Sequence, residues 1–232
     1  MKTNSFKRQL PDFTHFISIP IVGHKIQISL QNLQKDVLKH VDDKFLSLCS
    51  LNNPNLFHLT LCMLNLRETS KKATILQIFN DNQDKLTKLA KNHRFELLFN
   101  KITCFSEENK GYSKLNDVIF VEPHLNETIL KIHEISDILI KDFIKFQIVD
   151  WKDIKTLNLI NDEKGRLRMN QYHLTLVRIK NRHKIQITQV IQNLRKDFKG
   201  IDIPIEFVDV STRFEYGEDK FYKPLFRKLI NE

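Results

Sequence analysis

The sequence predicts an α+β fold of two similar lobes, each a sheet covered by helices, set around a central cleft. Three observations carry this reading. The tetrapeptide His58-Leu59-Thr60-Leu61 returns as His173-Leu174-Thr175-Leu176. Each copy is followed by an amphipathic helical stretch and then by a further strand-like run, the mark of an internally repeated supersecondary unit. No Gly/Ser-rich linker separates the copies, and 232 residues with 41% hydrophobic and 28% charged content can bury one core without staples. The expected organisation is a loose basic arm over 1–12 and a single bilobal domain over 13–232, with the first lobe mainly 13–123 and the second mainly 124–232.

The elements follow in order. Residues 13–22 read as a strand. From Ser29, a candidate N-cap, Leu30, Leu33, Val37, Val41, Phe45 and Leu48 recur at helical spacing. The cluster Asn52-Asn53-Pro54-Asn55 is a turn leading into the first histidine strand, 56–66. Thr69 or Ser70 would cap a second helix that buries Ile75, Phe79, Leu86 and Leu89. Runs over 95–105 and 118–121 read as strands joined by a turn over 107–111, with Pro123 ending the second. Asn126 caps a third helix presenting Ile132, Ile135, Leu139 and Phe143. Residues 150–170 are charged and weakly periodic, which suits either a functional loop or a solvated connection. The second histidine strand, 172–179, precedes a helix with Ile187, Val190, Ile191, Leu194 and Phe198 in phase. A strand over 203–210, an extension over 211–216 and a short basic tail over 224–230 complete the chain.

Composition narrows the function. A net charge of +9 and a pI near 9.4 favour a polyanionic partner, RNA or a nucleotide first, against the plainer reading of a general lysine bias. Three cysteines, Cys49, Cys62 and Cys104, leave an odd count and no metal-ligand spacing, so an intracellular setting, cytoplasm and/or nucleus, is expected. The apolar run 16–22 is too short, and too interrupted by Pro20, for a signal peptide, and no run is long enough to span a bilayer. There is no H-E-x-x-H, no Cys/His zinc pattern, no P-loop and no G-x-G-x-x-G, so no metal or cofactor is expected.

The repeated tetrapeptide carries the chemistry. In a strand alternate side chains face opposite ways, so each copy sets a histidine and a threonine on one side and two leucines on the other. Phe57 and Tyr172 fall on the leucine side. Cleaving a phosphodiester requires a proton taken from the attacking hydroxyl and another given to the leaving oxygen. Two imidazoles on opposite sides of the phosphate divide those tasks near neutrality. Threonine hydroxyls two residues on can donate to the non-bridging oxygens as charge develops. The candidate catalytic set is His58, Thr60, His173 and Thr175, with the roles of base and acid left open.

Two H-x-T-x motifs about half a chain apart resemble the signature of the two-histidine, LigT-like phosphoesterases. Thr14-His15-Phe16-Ile17-Ser18-Ile19-Pro20-Ile21 resembles the first strand of a eukaryotic branch that includes the A-kinase-anchoring-protein phosphoesterase domain. Phe57-His58-Leu59-Thr60-Leu61-Cys62-Met63-Leu64 resembles that branch's first histidine strand, and is similar to the C-terminal domain of activating signal cointegrator complex subunit 1. The resemblance implies a bilobal two-histidine phosphoesterase-like fold and makes 2′,5′-oligoadenylate the leading substrate, beside short 3′,5′ RNA and 2′,3′-cyclic phosphate ends. It also implies a base-stacking aromatic late in the second lobe, where Phe214 and Tyr216 lie. Arg166, Arg168 and Arg213 are candidate phosphate contacts, with ordinary solvated charge as the plain alternative for each. The rival function is a non-catalytic RNA-binding module within a nucleoprotein complex, as the cointegrator similarity allows, although the G-x-x-G loop of a KH domain is absent. RNA ligation is least favoured, since no K-x-D-G motif is present.

Overall fold

Two antiparallel sheets share the chain, and neither is confined to one half of the sequence. The computed structural model describes residues 13–90, 95–107, 116–181, 185–218 and 220–229. The expected arm over 1–12 and the turn at 108–111 lie outside these residues. One sheet holds β1 (His15–Pro20), β3 (His58–Leu64), β10 (Phe207–Tyr216) and β11 (Tyr222–Leu229) in the order β11-β10-β1-β3. The other holds β2 (Cys49–Leu51), β4 (Glu96–Cys104), β5 (Asn116–Pro123), β8 (Leu174–Lys180) and β9 (Ile201–Pro204) in the order β2-β8-β5-β4-β9. A boundary at residue 123 therefore does not separate them. All six residues of β1 are buried, so it is a central strand needing a partner on each side. β3 supplies one, and β10, returning from the far end of the chain, supplies the other.

Helices cover the outer faces in a crossed arrangement. α1 (His24–Lys39) follows β1 of the first sheet and leads to β2 of the second, and it packs on β8 and β9 of the second sheet, beside α5 (Ile187–Asp197). α4 (Glu127–Lys145) follows β5 of the second sheet yet also packs on β3 of the first and on α2 (Thr69–Asp81), with α3 (Gln83–Ala90) alongside. The predicted apolar stripes supply one continuous core: Leu30, Leu33 and Val37 from α1, Ile75 and Phe79 from α2, Ile132, Ile135, Leu139 and Phe143 from α4, and Val190, Ile191 and Leu194 from α5. Each such side chain contributes about 1.5–3 kcal/mol when withdrawn from water.

Several boundaries differ from expectation for local reasons. α1 starts five residues early, after Gly23 at φ 111°, so Ser29 lies inside the helix and donates to the Lys25 carbonyl instead of capping. Asp43–Leu48 is a separate 3-10 helix, capped by Asp42. The second helix is divided at Asn82, whose amide donates to the Ile78 carbonyl at 2.9 Å and to Asp142 of α4 at 2.7 Å; its N-cap is Glu68, neither Thr69 nor Ser70. Asn126 caps α4 as expected, accepting from the Ile129 N–H at 3.0 Å. The 150–170 stretch is ordered as a 3-10 turn, Trp151–Asp153, and a ribbon of β6 (Leu159–Asn161) and β7 (Leu167–Met169). The ribbon is docked on α4 by the Leu167 N–H donating to Asp137 at 2.7 Å. The strand expected over 203–210 breaks after Pro204, because β9 pairs with β4 while β10 pairs with β1 in the other sheet. The basic tail is itself a strand, β11, with Pro224 tolerated because β11 is an edge. Among the described residues no helix is long and apolar enough to cross a membrane.

Candidate active site

The two histidine motifs fall on one strand of each sheet, β3 and the start of β8, and both strands depart from regular pairing at the same motif position. In β3 the register to β1 runs Ser18 to Thr60 and then Ile17 to Cys62, so Leu61 is an extra residue. In β8 the register to β5 runs Phe120 to Thr175 and then Ile119 to Val177, so Leu176 is the extra residue. Each motif therefore carries a β-bulge immediately after its threonine. A bulge inserts one residue and reverses the alternation beyond it. Burial records the reversal: Leu61 and Cys62 are both buried, as are Leu176 and Val177. Past the bulges, Met63 joins the face of His58 and Thr60, and Arg178 joins the face of His173 and Thr175. The Leu176 carbonyl, on the β2 side of β8, accepts from the Asn52 N–H at 2.9 Å and from the buried Gln34 amide of α1 at 2.8 Å.

His58 is held in one tautomer. Its Nδ1 lies 2.7 Å from the Leu56 carbonyl, which can only accept, so Nδ1 carries the proton and donates. Rings enclose the imidazole: Phe16 at 4.9 Å, Tyr222 edge-on at 5.5 Å and Phe221 at 6.4 Å. Burial among them pushes the His58 pKa down to about 4; the Leu56 bond opposes this shift and the Arg178 charge adds to it. At pH 7 the ring is neutral, and Nε2 holds a lone pair. Arg178, a residue of β8, is near enough to His58 and Tyr222 for its charge to act on both, so the second motif strand brings a guanidinium toward the first imidazole. His173 packs against Phe105 at 5.2 Å and Phe120 at 5.1 Å. Thr60 and Thr175 are both partly exposed between buried leucines, as the alternation requires.

The remaining candidates divide between two places. Tyr216 stands beside Tyr222 at 5.5 Å, and Tyr222 in turn touches Phe16 and His58, so an aromatic platform runs from the exposed hairpin of β10 and β11 to the first imidazole. Phe214, 72% exposed, lies under the Arg213 guanidinium at 5.2 Å, and Arg213 also donates to the Phe13 carbonyl. Arg166 and Arg168 are elsewhere. Arg166 binds Asp162 at 2.7 and 2.8 Å and approaches Glu134 of α4, while Arg168 donates to the Met169 carbonyl at 2.8 Å. They close the β6–β7 ribbon against α4, next to the buried pair His133 and Tyr172, and are not among the groups that surround His58. Arg178, Phe16 and Tyr222 had no place among the residues expected from sequence. The bulge that turns Arg178 inward leaves no pattern in LTLVRIK, and the two rings arrive from strands distant in the chain. Among the described residues no three His, Cys, Asp or Glu side chains gather as a metal ion needs.

Comparison with known proteins gives a consistent picture. The sequence profile of the AKAP7 2′5′ RNA ligase-like domain family matches residues 13–227. The chain is similar in structure to TT0787 of Thermus thermophilus, with a TM-score of 0.56 at 15% identity over 94% of this chain and 98% of that one. It also aligns with E. coli LigT, solved in complex with NADP+, with a TM-score of 0.48 at 12% identity over 95% and 99% of the two chains. No curated protein matches the sequence.

Proposed function

This chain belongs to the AKAP7 2′5′ RNA ligase-like domain family of two-histidine phosphoesterases, and from that premise we propose that it is a metal-independent phosphodiesterase acting on RNA or short oligonucleotides. The supporting observation is the His-Thr face that alternation gives each motif strand, together with the β8 bulge that turns Arg178 to the His173 and Thr175 face while its charge acts on His58. His58 is the general base: neutral, and fixed with Nε2 free to take a proton from the attacking hydroxyl. His173, from the opposite sheet, is the general acid that protonates the leaving oxygen. Thr60 and Thr175 donate to the non-bridging oxygens, and Arg178 offsets the charge that builds on them. In a 2′,5′-linked substrate the 3′-hydroxyl attacks, in 3′,5′ RNA the 2′-hydroxyl attacks, and both yield a 2′,3′-cyclic phosphate and a free 5′-hydroxyl. On a cyclic phosphate end, water is the nucleophile. Tyr216 and Tyr222 offer π-faces on which an adjoining base stacks, and Phe214 with Arg213 extends that surface. The family description and the aromatic platform favour 2′,5′-oligoadenylate among these substrates.

The test is a panel of 2′,5′ and 3′,5′ dinucleotides and 2′,3′-cyclic nucleotides incubated in excess chelator, with products identified by mass. Turnover should persist, and His58→Ala and His173→Ala should each lower it by about 10²- to 10⁴-fold while leaving the melting curve cooperative. Activity surviving either substitution, or salt-sensitive RNA binding without turnover of any substrate, rules the mechanism out.

A further inference from the structure

The groove floor does not stop at the threonines. Because of the bulge at Leu61, Met63 lies on the His58 face, opposite Phe16, whose ring touches His58. Met63 and Asn65 in turn line a cavity of about 520 Å³ beyond the end of the motif, walled by Lys71 at the start of α2 and by Gln147, Trp151 and Leu157 of the segment after α4. That volume falls in the range of small-ligand sites. Thr60 and Met63 lie opposite Ser18 and Phe16, two residues apart on β1, so at about 3.3 Å per residue Met63 is about 7 Å along the sheet from Thr60 and Asn65 about 13 Å. A phosphate held at Thr60 cannot bring its own nucleoside that far.

Two groups at this cavity suit a nucleotide. Trp151 is 60% exposed, an unusual state for so large an apolar ring. Lys71 points at the same space, and its ion pair, at 3.3 Å to the exposed Glu68, is loose enough for a phosphate to displace. Asn65 and Gln147 add amide donors and acceptors; of the two carboxylates in the wall, Asp150 is paired with Lys152 at 2.6 Å, and Asp153 opposes an anion there, so phosphate binding rests on Lys71.

Building on the catalytic reading above, we propose that this cavity is a distal subsite for a further nucleotide of a single-stranded oligonucleotide, with its base stacked on Trp151 and its phosphate on Lys71. The enzyme would then prefer chains of three or more nucleotides to dinucleotides. Trp151 is the only tryptophan, so its emission reports the subsite directly. The full-length His173→Ala chain is titrated with 2′,5′- and 3′,5′-linked adenylate dimers and tetramers, following tryptophan emission together with the anisotropy of end-labelled oligomers. The tetramer should quench the emission and the dimer should not. Lys71→Ala and Trp151→Ala should each weaken tetramer binding by about fivefold to a hundredfold, the range that stacking one base on an aromatic ring confers. Wild-type turnover of the same four substrates is measured in parallel. Dimer turnover with tetramer binding that leaves the emission unchanged overturns the subsite and spares the catalytic reading. Quenching by the tetramer without turnover of any substrate overturns the catalytic reading and supports the subsite.

Discussion

A histidine whose Nδ1 is committed to a carbonyl has one working nitrogen left, and that fixes what His58 can do. With its pKa near 4, the base is already deprotonated at pH 5, so the acid limb of kcat/KM on a dinucleotide should fall near pH 4 and not near the ordinary histidine value of about 6.5. A limb at pH 6 to 7 would contradict a neutral His58 in the free enzyme. Arg178→Ala removes a charge that disfavours protonation of His58, so it should move this limb to higher pH. It should also lower kcat/KM by about ten- to a hundredfold, the worth of a hydrogen bond to a charged group. The His and Thr members of the proposed site come from the sequence through a repeated alternation. Arg178 does not, since strict alternation puts positions 173 and 178 on opposite faces and only the inserted Leu176 reverses that. Phe16 and Tyr222 become neighbours of His58 through pairing of β1, β10 and β11, a long-range event with no local signature.

At the level of elements, the bulged residue of β8 is held by α1, the helix that leads from β1 of one sheet to β2 of the other. Gln34 of α1 donates to the Leu176 carbonyl and to the Asn52 carbonyl at 2.7 Å. Gln34→Leu should therefore cost about 1–3 kcal/mol, the penalty for leaving a buried polar group unsatisfied, read as a lower urea midpoint. The β6–β7 ribbon makes a parallel case. Arg166 donates to an Asp162 carboxylate that also accepts from the Lys164 and Arg166 backbone N–H groups; these bonds outweigh burial and bring the carboxyl to about 2. Arg166→Ala should lower stability by about 1–3 kcal/mol, since a hydrogen bond to a charged group is lost. Helices were legible from sequence wherever the 3.6-residue spacing of apolar residues was sustained, as in α4 and α5. The ribbon was not, because two three-residue strands carry too little alternation to register. Ser29 misled because a good capping residue is also tolerated inside a helix when its hydroxyl turns back to the i−4 carbonyl.

For the molecule as a whole, two imidazoles couple folding to pH. His133, buried under Tyr172, is pushed down to about 4 by burial and then by Arg168 and Arg166, while His58 reaches a similar value. Their folded pKa values lie below the unfolded value of about 6.5, so the unfolded chain binds more protons between the two. Stability is full above pH 6.5 and declines as pH falls from there toward 4. His133 alone contributes up to about 3 kcal/mol to that decline. Melting temperatures measured from pH 7 to pH 4 should fall, and His133→Phe should flatten the slope. The +9 charge predicts that oligonucleotide affinity drops with salt, by a slope of about −0.7 in log K against log salt for each phosphate neutralised. Arg178→Ala should reduce that slope by about one such increment.

Because β10 and β11 complete the sheet begun by β1 and β3, translation imposes a delay. A ribosome that has made the first 200 residues holds a polypeptide in which β1, buried on all six residues in the finished protein, still has one open side. The aromatic surround of His58 waits on Phe221 and Tyr222, which are made long after it. Nascent chains should thus stay protease-sensitive until the β10–β11 hairpin has been made, and termination before that hairpin should yield an unfolded fragment and not one folded lobe.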